Sequence, residues 1–180
     1  KITITILDDD PPPVVTLSVG SLSIVEDSGT TTQVIATLDV LSGQDVTVSL
    51  KKNGTTIENV DYTLGDSIFI PEGSLSASIT LAAIVEPMHE NDETVKLSIT
   101  GVLNGLDASI PQAVMITNDD LPPTVTLSVG SATLNELTGT TVTPVTATLN
   151  TPSSFDVTVN LITSGTATAT ADYSLNTVIM

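Results

Sequence analysis

The sequence predicts an all-β protein: an immunoglobulin-like antiparallel β-sandwich of about seven strands, present as tandem repeats. Three observations carry that expectation. Apolar residues alternate with Thr and Ser in run after run, turn residues interrupt the runs at short intervals, and the blocks recur in order further along the chain.

The runs come in sequence. Val15, Leu17 and Val19 alternate with Thr16 and Ser18, and a short strand is expected at Ser23–Glu26. Val34, Ala36 and Leu38 follow, then Val46, Val48 and Leu50, then a short strand at Ser67–Ile70. Ala77, Ile79, Leu81 and Ala83 make the next run, followed by Val95, Leu97 and Ile99, and by Val114 and Ile116. A period of two places one set of side chains on one face, so each strand is apolar inward and hydroxyl-bearing outward. Turns are expected at Ser42-Gly43, Asn53-Gly54, Pro71-Glu72-Gly73 and Asn104-Gly105. Asn53-Gly54-Thr55 also fits a glycosylation acceptor, but a hairpin turn is the preferred reading.

The repeat divides the chain. Val15-Thr16-Leu17-Ser18-Val19-Gly20 returns as Val125-Thr126-Leu127-Ser128-Val129-Gly130, an offset of 110. Asp45-Val46-Thr47-Val48 returns at Asp156-Val157-Thr158-Val159, and Asp61-Tyr62 at Asp172-Tyr173, both at 111, which places one extra residue opposite about Thr32 to Ala36. Residues 1–10 are read as the last strand of a preceding repeat, 11–120 as a complete repeat, and 121–180 as the first half of another. The chain is read as a segment of something longer.

Composition narrows the function classes. Among 180 residues there are 21 acidic and 4 basic ones, for a formal net charge of -17. Nucleic acid and anionic membranes both demand Lys and Arg, so neither is expected as a partner. A hydrophobic content of 40% with positive mean hydropathy argues against disorder. There is no cysteine, hence no disulfide and no thiolate metal site. No run is long enough for a membrane helix, so no direct membrane insertion is expected.

The acids fall in loops. Glu26 ends an early strand and Asp61 follows the Asn53-Gly54 stretch. Glu86, Glu90, Asp92 and Glu93 crowd one loop, and Asp119 and Asp120 end the last strand. In an up-and-down sandwich alternate loops share an end, which would gather these carboxylates at one pole. Like charges so close repel by about 1 kcal/mol per pair in water and by more when shielded. A hard cation relieves this: Ca²⁺ takes roughly six to eight oxygen ligands in flexible geometry, while Mg²⁺ is stricter and zinc prefers Cys and His. Taken singly, Asp66, Glu72 and Asp107 are read as exposed loop acids. His89, the one histidine, is read as an exposed bystander, and no catalytic triad can be built on it. Paired carboxylates could serve glycoside hydrolysis, but an aromatic content of 2% provides no sugar-stacking cleft. The chain is not expected to be an enzyme.

These features resemble the Calx-β domain, the calcium-binding sandwich of sodium–calcium exchangers, of an integrin subunit and of large bacterial surface proteins. The resemblance rests on VTLSVGSLSIVEDSGTTTQVIATL, VDYTLGDSIFIPEGSLSASITL, ENDETVKLSITGV and the terminal NDD. It implies calcium ligands at Glu26, Asp61, Glu90, Glu93, Asp119 and Asp120, with Met88 contributing a backbone carbonyl. Where the family often has Asp-Asp before the E-x-D-E block, this chain has Val85 and Glu86, and Asn118 replaces a third terminal Asp. Glu86 keeps an oxygen ligand on a longer arm, and the departures imply one or two ions rather than four. Glu136 and Asp172 match Glu26 and Asp61 in the second repeat, while Asp8, Asp9 and Asp10 would serve the preceding one.

The function this implies is a calcium-binding structural or adhesive module of an extracellular or cell-surface protein. Ca²⁺ at the junction between neighbouring repeats would stiffen it, and self-association into fibres is an accompanying possibility. The alternatives are a regulatory calcium sensor of a membrane transporter and an accessory domain of a secreted hydrolase.

Overall fold

Alternation of aliphatic and hydroxyl side chains becomes strand throughout the first repeat. The computed structural model describes residues 1–180 except Ile6, Asp8, Asp27, Leu137, Thr138 and Thr140. By their contacts the described residues form two compact units, Lys1–Glu86 with Asn91–Asp119, and Pro87–Glu90 with Asp120–Met180. No helix among them is long and apolar enough to cross a membrane.

The first unit holds β1 (Val14–Val19), β2 (Ser23–Val25), β3 (Thr31–Leu38), β4 (Val46–Gly54), β5 (Tyr62–Thr63), β6 (Ser67–Ile70), β7 (Ser76–Ala83), β8 (Glu93–Leu103), β9 (Leu106–Asp107) and β10 (Gln112–Thr117). They make two five-stranded sheets, β5-β7-β3-β1-β9 and β2-β10-β8-β4-β6. The two-residue strands β5 and β9 are too short for alternation to reveal. None of the described residues before Val14 is in a strand.

The topology is not a plain up-and-down meander. After β1 the chain crosses to the other sheet, with Ser21 at the corner: its N–H donates to Thr32 Oγ1 at 2.7 Å and its hydroxyl to the Ser23 carbonyl at 2.6 Å. The run that begins at Val14 is thereby split between both sheets. Its halves lie parallel to β9 and β10 respectively, while every other pairing of named strands among the described residues of this unit is antiparallel.

The inward faces form one aliphatic core, in which Val15, Val34, Val48, Ile68, Leu81, Val95 and Val114 are wholly buried. Each such side chain stabilises the fold by about 1.5–3 kcal/mol relative to exposure. Tyr62 is the core's one aromatic residue. With neither Cys nor Trp available, close packing of branched side chains does the work of an immunoglobulin disulfide and tryptophan.

One expected turn is absent. Asn53 and Gly54 continue β4, opposite Lys96 and Val95 of β8. Gly54 has φ +129, and a Cβ there would sit 1.8 Å from the Thr94 carbonyl oxygen. The glycine therefore marks a close approach of two backbones, which short-range sequence cannot distinguish from a turn.

The second unit contains β11 (Val125–Val129) paired antiparallel with β12 (Val145–Leu149), and β13 (Val159–Asn160) paired with β14 (Val178–Ile179). Val129 lies opposite Val145 as Val19 lies opposite Val34. Ser131 N–H reaches Thr143 Oγ1 at 2.7 Å, the counterpart of the Ser21–Thr32 bond. Thr143 is therefore the equivalent of Thr32, and the extra residue falls just before it, at the near edge of the expected interval.

Candidate metal centre

Strand register brings the acidic loops of the first unit to one end. Because β2 runs beside β10, Glu26 follows on next to the exit of β10: its N–H donates to the Thr117 carbonyl at 3.1 Å, and Asn118 Nδ2 lies 3.4 Å from its Oε2. Glu93 opens β8 opposite Ile116, at the same end. Asp61 closes a tight loop in which its carboxylate accepts the Ile57 N–H and its own N–H donates to the Ile57 carbonyl at 2.9 Å. Asn59 supports that loop in the left-handed region at φ 65, a conformation Asn tolerates better than most residues. The Asp61 carbonyl accepts the Ile84 N–H at 2.9 Å, so the loop is fastened just past the end of β7, shortly before Glu86.

The result is two close carboxylate pairs. Glu26 and Glu86 offer oxygens within 4.8 Å of each other, and so do Asp61 and Glu93. Glu90 lies on the same β7–β8 connection as Glu86 and Glu93. Glu26 and Asp61 are buried, at 3% and 8% exposure, and the other three are half-buried. At such separations two full charges repel by about 1 kcal/mol in water and about 4 at an effective dielectric of about 20. A divalent cation converts that repulsion into attraction. The donor set is all carboxylate oxygen, which fits Ca²⁺ and offers zinc none of its preferred nitrogen or sulfur.

Other expected residues are placed differently. Asp119 is exposed and Asp120 half-buried. Met88 is half-buried in its loop. Glu136, Asp172, Asp9 and Asp10 are exposed, and Asp8 lies outside the described residues. His89 is no bystander: it is half-buried, its Nδ1 is 3.0 Å from the Asp120 carbonyl, and its ring lies 5.3 Å from that of Phe155. Asp92 accepts the Asn118 N–H at 3.1 Å, tying the β7–β8 connection to the exit of β10.

Beside the Asp61 loop is a feature the sequence reading missed. Lys52 Nζ, with a side chain only 10% exposed, bonds Asp66 Oδ1 at 2.6 Å, the Leu64 carbonyl at 3.1 Å and the Glu58 carboxylate. Burial works against its charge, but the bonds to Asp66 and Glu58 prevail and hold its pKa above the ordinary lysine value. Burial, aided by the Glu58 charge, also pushes the neighbouring Tyr62 phenol up. Asp66 had the look of a plain loop acid. The available signal was scarcity: Lys52 is one of four basic residues, and three acids, Glu58, Asp61 and Asp66, follow it before β6.

The sequence pattern of the Calx-beta domain matches residues 8–120 and again residues 118–179. No curated protein matches the chain. Among solved structures, the crystal structure of CBD12 from CALX1.2 is 18% identical with a TM-score of 0.49, over 58% of this chain and 46% of that one. The calcium binding domain CBD12 of CALX1.1 is 18% identical with a TM-score of 0.49, over 59% and 44%. The apo-form Calx CBD1 domain is 19% identical with a TM-score of 0.45, over 59% and 98%. The match thus spans less than half of the two CBD12 chains. With its pattern found twice in succession, the chain belongs to the Calx-beta domain family, a family of calcium-binding β-sandwich domains.

Proposed function

We propose that this chain is a calcium-binding structural module, with adhesion as an associated role, in an extended extracellular or cell-surface protein. The observation that carries the calcium reading is the approach of Glu26 to Glu86 and of Asp61 to Glu93, with carboxylate oxygens within 4.8 Å in each pair. Those four residues would hold the ion, and Glu90, Asp119, Asp120 and the Met88 carbonyl are proposed to complete its coordination. The ion supplies positive charge that binds separate loops into one body, and the reading assigns no catalytic step. Asp119-Asp120 stands directly before Leu121-Pro122-Pro123. A cation held by the exit acids, beside prolines that restrict the backbone, would stiffen the junction between neighbouring repeats. Repeats joined this way suit a long fibre.

The experiment is calcium titration of the whole chain by calorimetry, paired with thermal melts in calcium and in chelator. Binding is expected at about 10⁻⁴–10⁻³ M, the range of extracellular modules, with a raised melting temperature in calcium. At one hundred times Kd the gain is about 2.7 kcal/mol. Asp61→Asn should remove most of that gain. An unchanged melting temperature on chelation would falsify the calcium reading, and affinity near 10⁻⁶ M, within the roughly 10⁻⁷–10⁻⁵ M sensor range, would favour a regulatory sensor over a spacer.

A further inference from the structure

We infer that Lys52 is a positioning residue for the metal centre, acting with Glu58 and Asp66 as a clamp that holds the Asp61 carboxylate in place for calcium. The inference rests on the calcium reading above. Three acceptors from one connection converge on a single ammonium. Glu58 precedes Asp61 by three residues, and the Leu64 carbonyl and Asp66 follow it, so the clamp grips the loop on both sides of the ligand. Lys52 itself is on β4, paired with β8 at Leu97, and β8 begins at Glu93. The clamp therefore fastens the Asp61 loop to the sheet that carries Glu93, the carboxylate within 4.8 Å of Asp61.

The second repeat shows what the clamp does not do. At the offset of 111 the three positions are Thr163, Ala169 and Thr177, so all three members are replaced together. The local loop nevertheless forms there: Thr168 N–H donates to Asp172 Oδ2 at 2.6 Å, and Asp172 N–H to the Thr168 carbonyl at 2.9 Å. Asn59 N–H to Tyr62 carbonyl and Thr170 N–H to Tyr173 carbonyl are both 2.8 Å. Turn formation needs no lysine. What Lys52 adds is a tether between a turn that forms anyway and the frame of β4 and β8. Without a cation, the charges of Asp61 and Glu93 push the loop away from the strand, and Lys52 opposes that push. Holding ligands in their bound arrangement raises affinity because less order must be created on binding.

The test is calcium titration and paired melts of the whole chain carrying Lys52→Met, Lys52→Arg, or Glu58→Gln with Asp66→Asn. Lys52→Met should weaken calcium binding about ten-fold, as loss of groups supporting metal ligands commonly does. The double variant should weaken it similarly, and Lys52→Arg should restore most of the affinity. Melts in chelator report the clamp's purely structural contribution, and the calcium-dependent increment reports positioning. Wild-type affinity in Lys52→Met, with only the chelator melt lowered, overturns the inference while leaving the calcium reading intact. Absence of calcium binding in the unaltered chain overturns both. Should Lys52→Met fail to fold, Asp66→Asn alone decides: its side chain is 89% exposed, and undiminished affinity there overturns the clamp.

Discussion

The hexapeptide Val-Thr-Leu-Ser-Val-Gly occurs in both units, and its burial differs completely. In β1, Val15 and Leu17 are 0% and 4% exposed, whereas in β11 Val125 and Leu127 are 38% and 55% exposed. Local structure is nearly the same. Val14 N–H donates to Asp39 Oδ1 at 2.7 Å, and Thr124 N–H to Asn150 Oδ1 at 2.6 Å. Gly20 and Gly130 N–H groups reach the carbonyls of Gln33 and Pro144 at 2.9 and 3.0 Å. The difference is what covers the apolar face. β1 shares a core with Val95, Leu97, Val114 and Ile116 of β8 and β10, residues far off in sequence. Identical residues thus form the same antiparallel strand pairing in both places, and long-range partners set how much burial they achieve.

Two pairs of substitutions test that comparison, beginning with the largest effect, and a pH series follows. Leu17→Ala should lower the stability of the main unfolding transition by about 2–5 kcal/mol, because it opens a cavity in a packed core. Leu127→Ala should leave that transition within about 0.5 kcal/mol, as exposed sites do. Chemical denaturation of the two variants decides it, and equal losses would show that the β11 face is as enclosed as that of β1. Next, Asp39→Ala should cost about 1 kcal/mol by removing a hydrogen bond shared by β1 and the end of β3. Asn150→Ala, which removes the matching bond in the second unit, should not move the main transition.

The smallest effect concerns pH. The pKa of Lys52 and that of Tyr62 are both raised in the fold, above 10.5 and 10.0 respectively. For groups raised in this direction the stabilisation is complete below the unfolded pKa and is lost as pH climbs through the folded one. The main transition should therefore hold steady through neutral pH and weaken from about pH 10 upward. Lys52→Met should flatten part of that decline, and an undiminished slope in the variant would detach it from the clamp.

Much of the fold was legible because a period of two is a local property. Each alternating run from Val15 to Ile116 became a strand, whereas residues 1–10, read as a last strand, hold none among those described. Glu26 and Glu86, and Asp61 and Glu93, offer oxygens within 4.8 Å of each other. Asn53-Gly54 misled because a glycine required by backbone contact with Thr94 looks the same in sequence as a glycine required by a turn. Lys52 was missed because an ion pair depends on where two chain segments cross.

By itself, the sequence determined what its near neighbours could enforce: strand faces, the repeat, the hydrogen-bonded loops of Asp61 and Asp172, and an excess of carboxylates over cations. Only the tertiary structure decided which VTLSVG is buried, which acids pair, and which lysine restrains a ligand loop. Hydrogen bonds across a few residues form wherever the local sequence recurs. Burial and charge pairing depend on strands dozens of residues away.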